Sequence, residues 1–285
     1  MISRDTSPEM EQMQIDLLRK AGPARRLQLA AQLSDMVWKA SRHAVDRYYP
    51  LETPDQRDAR FLTEIYGKDL AERFVAFRQR KLGLTRERTP MSQEIYQVTI
   101  QVVKVLEGLG VDYEIGGSLA SSVHGVPRST LDADIVANLQ PNHVASLVQR
   151  LGDQFYADEQ MIEKAVRARK CFNIIHLDTM LKLDIFALKD TAFSHVEFSR
   201  RVQAHFPDAN GPLLWLSSPE DIILHKLMWY AEGGEVAMRQ FQDVLGVLRM
   251  VGASLDQEYL AKWAVTLGVQ TLLERALRES GKPNG

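Results

Sequence analysis

The stretch YEIGGSLASSVHGVPRSTLDADIVANL, Tyr113 to Leu139, decides the fold of this 285-residue chain. It joins an apolar run, a Gly-Gly-Ser turn and two aspartates separated by one residue. Asp132 and Asp134 flank Ala133, and two apolar β-branched residues follow directly. If this part is a strand, residues two apart point to the same face of a sheet, so both carboxylates project side by side. Paired carboxylates are oxygen ligands that a divalent cation such as Mg²⁺ takes.

Strand and helix patterns alternate on both sides of this stretch. We predict strands over 113–115, 134–137, 172–176 and 181–187, a short edge strand over 212–216, and helices over 118–123, 141–151 and 159–169. In the strand 181–187, Leu183, Ile185 and Ala187 share one face. Asp184 is therefore expected on the other face, where it could converge with Asp132 and Asp134 as a third carboxylate.

Residues 9 to 82 have the pattern of an all-helical unit. A break at Gly22-Pro23 separates two helices, and further helices begin after Thr53 and at Lys68. Apolar residues that recur every three or four positions predict the buried faces of the first two: Met13, Leu17, Leu18, Leu29, Leu33, Met36, Val37 and Ala40. The pair Arg25-Arg26 could contact phosphates, but we favour a solvated helix face.

Helical patterns return from Ser218 onward, over 219–231, 236–251, 256–267 and 269–280. The polar segment LGLTRERTP, Leu82 to Pro90, breaks the periodicity and marks a domain boundary. We therefore predict a helical N-terminal domain (1–90), an α/β core with a small mixed sheet flanked by helices (91–216), and a C-terminal helical region (217–285). The fold class is α/β in the broad sense that includes α+β.

Composition excludes several classes of protein. Hydrophobic residues make up 45% of the chain, but no apolar run approaches the ~20 residues of a membrane span. The first residues lack the apolar core of a signal peptide, so we expect a cytoplasmic location and no membrane partner. Cys171 is the single cysteine, which excludes an internal disulfide, and its apolar context KCFNII predicts a buried structural thiol.

The order of these motifs resembles a known superfamily. Gly116-Gly117-Ser118, then Asp132-x-Asp134 and apolar residues, is similar to the signature of the nucleotidyltransferases that include DNA polymerase beta. The motif HGVPRSTLDADI, His124 to Ile135, is most similar to the bacterial branch that includes abortive-infection toxin nucleotidyltransferases. The resemblance covers about the C-terminal two thirds of the chain.

The resemblance implies the roles of the acidic residues. Asp132 and Asp134 match the paired metal ligands of the superfamily, and Asp184 in LKLDIF matches its third acid, which helps to activate the acceptor. The implied cofactor is Mg²⁺ or Mn²⁺, and the implied substrate is an NTP. The alternative for any single D-x-D is an ordinary strand end, because short motifs recur by chance.

The phosphate-binding candidates lie on both sides of the acids. Gly116 and Gly117 let the backbone approach a phosphate, and a helix beginning near Ser118 offers unpaired N–H groups and a hydroxyl. Arg128 could hold a triphosphate oxygen or pair with a carboxylate, and both alternatives stay open. We expect His124 to orient its loop rather than to catalyse.

Further phosphate candidates come from the C-terminal helices. Lys226 matches a lysine that reaches the nucleotide phosphates in the toxin-like branch, although a lysine that packs its stem along a helix is the alternative. Asp243 matches the aspartate of a lysine-aspartate step, and Arg239 matches an upstream arginine. The lysine of that step is replaced by Gln242 here.

The sequence thus predicts a metal-dependent enzyme that transfers NMP from an NTP to an acceptor and releases pyrophosphate. The resemblance implies RNA, such as the 3′ end of a tRNA, as one acceptor and an antitoxin-like protein as one partner. Protein or small-molecule acceptors, including antibiotics, stay open. The alternative from another class is a non-catalytic module that keeps the fold and binds nucleotide or a partner protein.

Overall fold

A computed structural model describes residues 8–82, 94–130, 132–206, 211–233 and 238–281. In these ranges the helices are α1 (Pro8–Tyr48), α2 (Pro54–Tyr66), α3 (Lys68–Leu82), α4 (Glu94–Gly108), α5 (Gly117–His124), α6 (Val144–Leu151), α7 (Glu159–Arg167), α8 (Ala192–Ser199), α9 (Pro219–Glu232), α10 (Met238–Val251), α11 (Gln257–Thr266) and α12 (Gln270–Ser280). The strands are β1 (Tyr113–Ile115), β2 (Asp132–Ala137), β3 (Phe155–Tyr156), β4 (Cys171–His176), β5 (Lys182–Ala187), β6 (Val202–His205) and β7 (Leu213–Leu216).

All seven of these strands form one mixed sheet in the order β3-β4-β5-β2-β1-β7-β6. The neighbours β2 and β5 are parallel, as are β1 and β7, while the other pairs are antiparallel. This mixed sheet between helical N- and C-terminal segments confirms the predicted fold class. The prediction that 212–216 is an edge strand is wrong, because β7 pairs with β1 on one side and with the unpredicted β6 on the other.

The first helix is interrupted where the sequence predicted. Gly22 has a φ of 77°, a left-handed conformation that favours glycine, and Pro23 begins the second half of α1. The predicted buried faces are largely wrong. Met13, Leu17, Leu33, Met36 and Val37 are exposed, with Met36 66% accessible. The buried face carries Leu27, Ala30, Ala31 and Trp38 instead, because small alanines allow α1 to pack closely against the rest of the protein.

One hydrophobic core runs through the N-terminal helices and the sheet. The ring of Phe77 in α3 packs edge-to-face on Tyr156 in β3, with 4.9 Å between centroids. The hydroxyl of Tyr96 in α4 donates to the carbonyl of Leu27 in α1 at 3.0 Å. The division into three domains stays a prediction, and its proposed boundary falls mostly on residues 83–90, outside the described ranges.

Two further observations bear on the composition-based predictions. Within the described ranges, no helix combines the length and apolarity needed to cross a bilayer. Cys171 is exposed, so the prediction of a buried thiol is wrong. It begins β4 on the face that it shares with Asn173, while the apolar neighbours Phe172 and Ile174 point into the core.

Candidate functional site

The pairing of β2 with β5 places the three predicted acids on one face of the sheet. The strands are parallel and in register, with Asp134 opposite Asp184 and Asp132 opposite Lys182. Residues two apart on a strand share a face, and paired residues of neighbouring strands also share one. Asp132, Asp134, Lys182 and Asp184 therefore form a two-by-two array, which we call the acid face.

Lys182 is the member of the acid face that the resemblance to the superfamily does not include. Its Nζ lies 2.5 Å from Oδ2 of Asp184 and 3.9 Å from Oδ2 of Asp132. The side-chain amide of Asn173, on the neighbouring strand β4, donates to the other carboxylate oxygen of Asp184. The signal in the sequence is the i, i+2 spacing of Lys182 and Asp184 on a strand, which puts an ammonium beside the third acid.

The carboxylate oxygens of the acid face are the type of ligand that Mg²⁺ takes. Within the described residues, no three His, Cys, Asp or Glu side chains form a group that could hold a metal ion as they stand. The ammonium of Lys182 instead lies against Asp184 and toward Asp132, where it supplies positive charge. Asp132 is 40% exposed, which leaves the open side that Mg²⁺ needs for water and phosphate ligands. The metal assignment of the three aspartates stays a prediction.

The glycine turn packs directly on Asp134. The amide N of Gly116 donates to the backbone carbonyl of Asp134 at 2.9 Å. Gly117 has a φ of 55°, and a Cβ atom there would lie 1.7 Å from Oδ2 of Asp134. No described side chain caps the N-terminus of α5 at Gly116. The turn thus holds the central acid and leaves the first N–H groups of α5 without a side-chain acceptor.

Burial and like charge act together on Asp134. Burial is the largest cause that raises the pKa of this carboxyl, the negative charges of Asp132 and Asp184 add to it, and the positive charges of Lys226 and Lys182 oppose it, which brings the pKa to about 7. The raised pKa means that the positive charges near Asp134 do not fully compensate its negative charge when this carboxylate is ionised. Strongly perturbed acids of this kind cluster at functional sites.

Arg128, Lys226, Asp243 and Ser118 form a second group of polar residues beside the acid face. Nε and Nη2 of Arg128 donate to the two carboxylate oxygens of Asp243 at 2.7 and 2.9 Å. Nη2 also donates to Oγ of Ser118 at 2.5 Å. Lys226 is 1% exposed and donates from Nζ to Asp243 at 2.7 Å. We call this group the Asp243 cluster.

The Asp243 cluster shows which of the two predicted partners Arg128 has in this structure. Arg128 pairs with a carboxylate, and that carboxylate belongs to another of the predicted phosphate-site residues. Burial lowers the pKa of Lys226, and the attraction of Asp243, which raises it, is smaller, so the net shift is downward. The neighbouring Gln242 and Arg239 are both exposed. Roles of these residues toward phosphate stay predictions.

His124 and Thr130 brace the segment between the glycine turn and the acids. Burial lowers the pKa of His124 to about 4, so the ring is neutral at pH 7 and its Nε2–H donates to the carbonyl of Ser217 at 2.9 Å. Oγ1 of Thr130 lies 3.0 Å from Oδ1 of Asp132, to which it donates. These contacts agree with the expected orienting role of His124 and with a bracing role for Thr130.

Comparisons with known proteins add a distant structural likeness. No protein-family model matches the chain, and no curated protein matches it. One similar solved structure is that of an antigenic nucleotidyltransferase-like protein from Paracoccidioides brasiliensis. The two share 17% sequence identity and a TM-score of 0.36, and the alignment covers 67% of this chain and 95% of that one. A likeness this weak does not by itself place the chain in a family.

We predict that Gly117→Ala disrupts the site while Gly116→Ala does not. The new Cβ would overlap the Asp134 carboxylate, and alanine is strained at the positive φ, so the free energy of unfolding should fall by about 1–3 kcal/mol. At Gly116 a Cβ would meet only Oγ of Ser217, at 3.4 Å. Thermal unfolding of both variants measures the difference, and equal stabilities would contradict the packing described for Gly117.

We also predict that Asp134→Asn stabilises the protein in EDTA at pH 8. The carboxyl pKa is raised above its unfolded value, so ionised Asp134 destabilises the fold above about pH 7 and the penalty disappears as pH falls toward 4. Asparagine removes the charge, and the expected gain is about 1–3 kcal/mol. Asp190→Asn, at an exposed carboxylate, is the control. A gain independent of pH, or a loss at pH 8, would refute the electrostatic account.

Proposed function

We propose that this protein is a divalent-cation-dependent nucleotidyltransferase that moves NMP from an NTP to an acceptor and releases pyrophosphate. The observation that carries the proposal is the in-register pairing of Asp134 with Asp184, which puts both on one face with Asp132. The glycine turn that packs on Asp134 is the second support. The order of these residues in the sequence is the one that resembles the nucleotidyltransferase superfamily.

In this proposal the acid face organises the transfer. Mg²⁺ or Mn²⁺ bound by Asp132, Asp134 and Asp184 would supply the charge that stabilises the attacking and leaving oxygens of an in-line displacement. An acceptor hydroxyl forms the new bond to the α-phosphorus of the NTP, the bond to pyrophosphate breaks, and the hydroxyl proton passes to Asp184 or to solvent through it. The ion pair between Lys182 and Asp184 would break in this step, which frees the Asp184 carboxylate.

The phosphate groups of the NTP would bind at the N-terminus of α5 and along the Asp243 cluster. The N–H groups of Gly117 and Ser118 lack a side-chain cap and are suited to an anion. Arg128 touches Ser118, so its guanidinium lies next to that helix N-terminus. Asp243 holds Arg128 and Lys226 in place, which keeps two cations near the site before any nucleotide binds.

The proposed acceptor is a terminal hydroxyl of RNA, such as the 3′ end of a tRNA, and the proposed partner is an antitoxin-like protein. Both rest on the resemblance of the segment His124 to Ile135 alone. Protein and small-molecule acceptors use the same hydroxyl chemistry and are alternatives that the acid face serves equally well. A cytoplasmic location is proposed with them.

One observation favours the non-catalytic alternative. Lys226 is 1% exposed, and both Lys226 and Arg128 already donate hydrogen bonds to Asp243. A protein that binds nucleotide or a partner without transfer would need these cations only as structural ion pairs. The two functions differ in one measurable respect, since only the enzyme releases pyrophosphate.

Incubation of the full chain with each α-labelled NTP, Mg²⁺ or Mn²⁺ and bulk RNA tests the proposal. We expect label transfer and pyrophosphate release from the wild type, and a loss of about 100-fold or more in Asp132→Asn and Asp134→Asn, because both variants weaken the cation site. Asp190→Asn, an exposed acid away from the acid face, should retain wild-type activity.

Two outcomes would overturn the enzymatic proposal. One is a wild-type chain that raises its melting temperature with an NTP yet releases no pyrophosphate with RNA, protein or small-molecule acceptors, which would favour the binding module. The other is a transfer activity that survives in the variant carrying both Asp132→Asn and Asp134→Asn.

A further inference from the structure

The N-terminal helix α1 makes two buried polar contacts with the segment that leads to the acids. The first comes from Arg26, which is 5% exposed. Its Nε and Nη2 both donate to the carbonyl of Val123 at 2.9 and 2.7 Å, and its Nη1 donates to the carbonyl of Leu18 at 3.2 Å. Val123 lies in the last turn of α5, where a cation is favourable for an otherwise unpaired carbonyl. The interpretation of Arg26 as part of a solvated face is therefore wrong.

The second contact comes from Ser34, which is also 5% exposed. Its Oγ accepts from the backbone N–H of Thr130 at 2.8 Å and donates to the carbonyl of Ala30 at 2.7 Å. Thr130 in turn donates from Oγ1 to the carboxylate of Asp132 at 3.0 Å. A chain of hydrogen bonds thus connects the middle of α1 to the first of the three acids.

The two contacts bind the two ends of one short segment. Arg26 and Ser34 lie eight residues apart on α1, about 12 Å along a helix at the standard rise. Their partners Val123 and Thr130 bracket residues 124–129, which we call the bridging segment. Arg128, the residue that binds Asp243 and Ser118, belongs to this segment. A segment fixed at both ends keeps its side chains in place without a further entropic cost when a ligand binds.

The second helix makes a similar contact with the other acid-bearing strand. The hydroxyl of Tyr66, the last residue of α2, accepts from the backbone N–H of Lys182 at 3.3 Å. The Nζ of Lys182 lies 5.6 Å from the centroid of the Tyr66 ring. The N-terminal helices therefore contact the chain at the beginning of β2 and at the beginning of β5, the two strands that carry the acid face.

From these contacts we infer that the N-terminal helices are a positioning frame for the site, and that Ser34 is a positioning residue that acts through Thr130 on Asp132 and the bridging segment. The hydrogen bonds from Arg26 and Ser34 are the same whatever the function of the acid face. Their consequence for chemistry rests on the proposed nucleotidyltransferase function. A frame of this kind acts on the site before any acceptor is present, unlike a direct contact between the N-terminal helices and an acceptor.

Hydrogen exchange on the full chain tests the frame directly. We expect Ser34→Ala to speed exchange of the Thr130 amide, and of the bridging segment, by about 10-fold, the effect of losing one net hydrogen bond. Ser41→Ala is the matched control, because Ser41 makes the same bond to the carbonyl four residues earlier, but that bond is exposed. Ser34→Thr keeps the acceptor oxygen and should restore slow exchange. Unchanged exchange in Ser34→Ala would overturn the inference.

Binding and transfer then test the consequence for the site. Ser34→Ala should weaken Mn²⁺ binding and lower kcat/KM of transfer, each by about 10-fold, while Ser41→Ala and Ser34→Thr stay at the wild-type level. Faster exchange with wild-type Mn²⁺ affinity would show a structural contact only, and would overturn the positioning role. A wild type that binds no Mn²⁺ and transfers no label would refute the proposed function, and the exchange result would still decide whether α1 holds the segment.

Discussion

The parallel register of β2 and β5 is the constraint on which the rest of the structure depends. It sets Asp134 opposite Asp184 and Asp132 opposite Lys182, so three carboxylates share one face with a single ammonium. Burying a carboxylate beside like charges destabilises the fold, and the pKa of Asp134 is raised by its burial first and by the charges of Asp132 and Asp184 second. Stability alone does not favour this arrangement. Under the proposed function, a bound cation would supply the positive charge that this arrangement lacks.

Several distant parts of the chain serve that array. The glycine turn gives Asp134 the space that any side chain at position 117 would fill. Asp243 holds two cations beside the acid face: Arg128, on the segment before β2, and Lys226, on α9. The helix α1 reaches the same segment through buried polar side chains, so the N-terminal helices and the sheet form one physical unit around the acid face.

Local patterns in the sequence predicted much of this structure. The period of two placed Asp134 and Asp184 on strands and predicted that Asp132 would share the face of Asp134 if the strand included it, and Gly22-Pro23 predicted the break in α1, because both signals depend on neighbouring residues alone. The pairing of Arg128 with Asp243, 115 positions apart, depends on tertiary packing that no local pattern contains. The prediction of the buried face of α1 is wrong for a related reason: Arg26, Ala30 and Ser34 are buried there, although hydrophobicity ranks them below the exposed Leu33 and Met36. The position of β7 inside the sheet depends on β6, which is four residues long and carries little signal.

Titration of the full chain with Mn²⁺, followed by electron paramagnetic resonance, tests the central claim most directly. The claim is that the acid face is a cation site in which Lys182 stands in for part of the ion's charge. Wild-type protein should bind Mn²⁺, and Lys182→Met should bind it about 5–10-fold more tightly, since the competing ammonium of a partly exposed pair is gone. Lys189→Met, at an exposed lysine just beyond β5, should leave the affinity unchanged. Absence of Mn²⁺ binding in both the wild type and Lys182→Met would contradict the account.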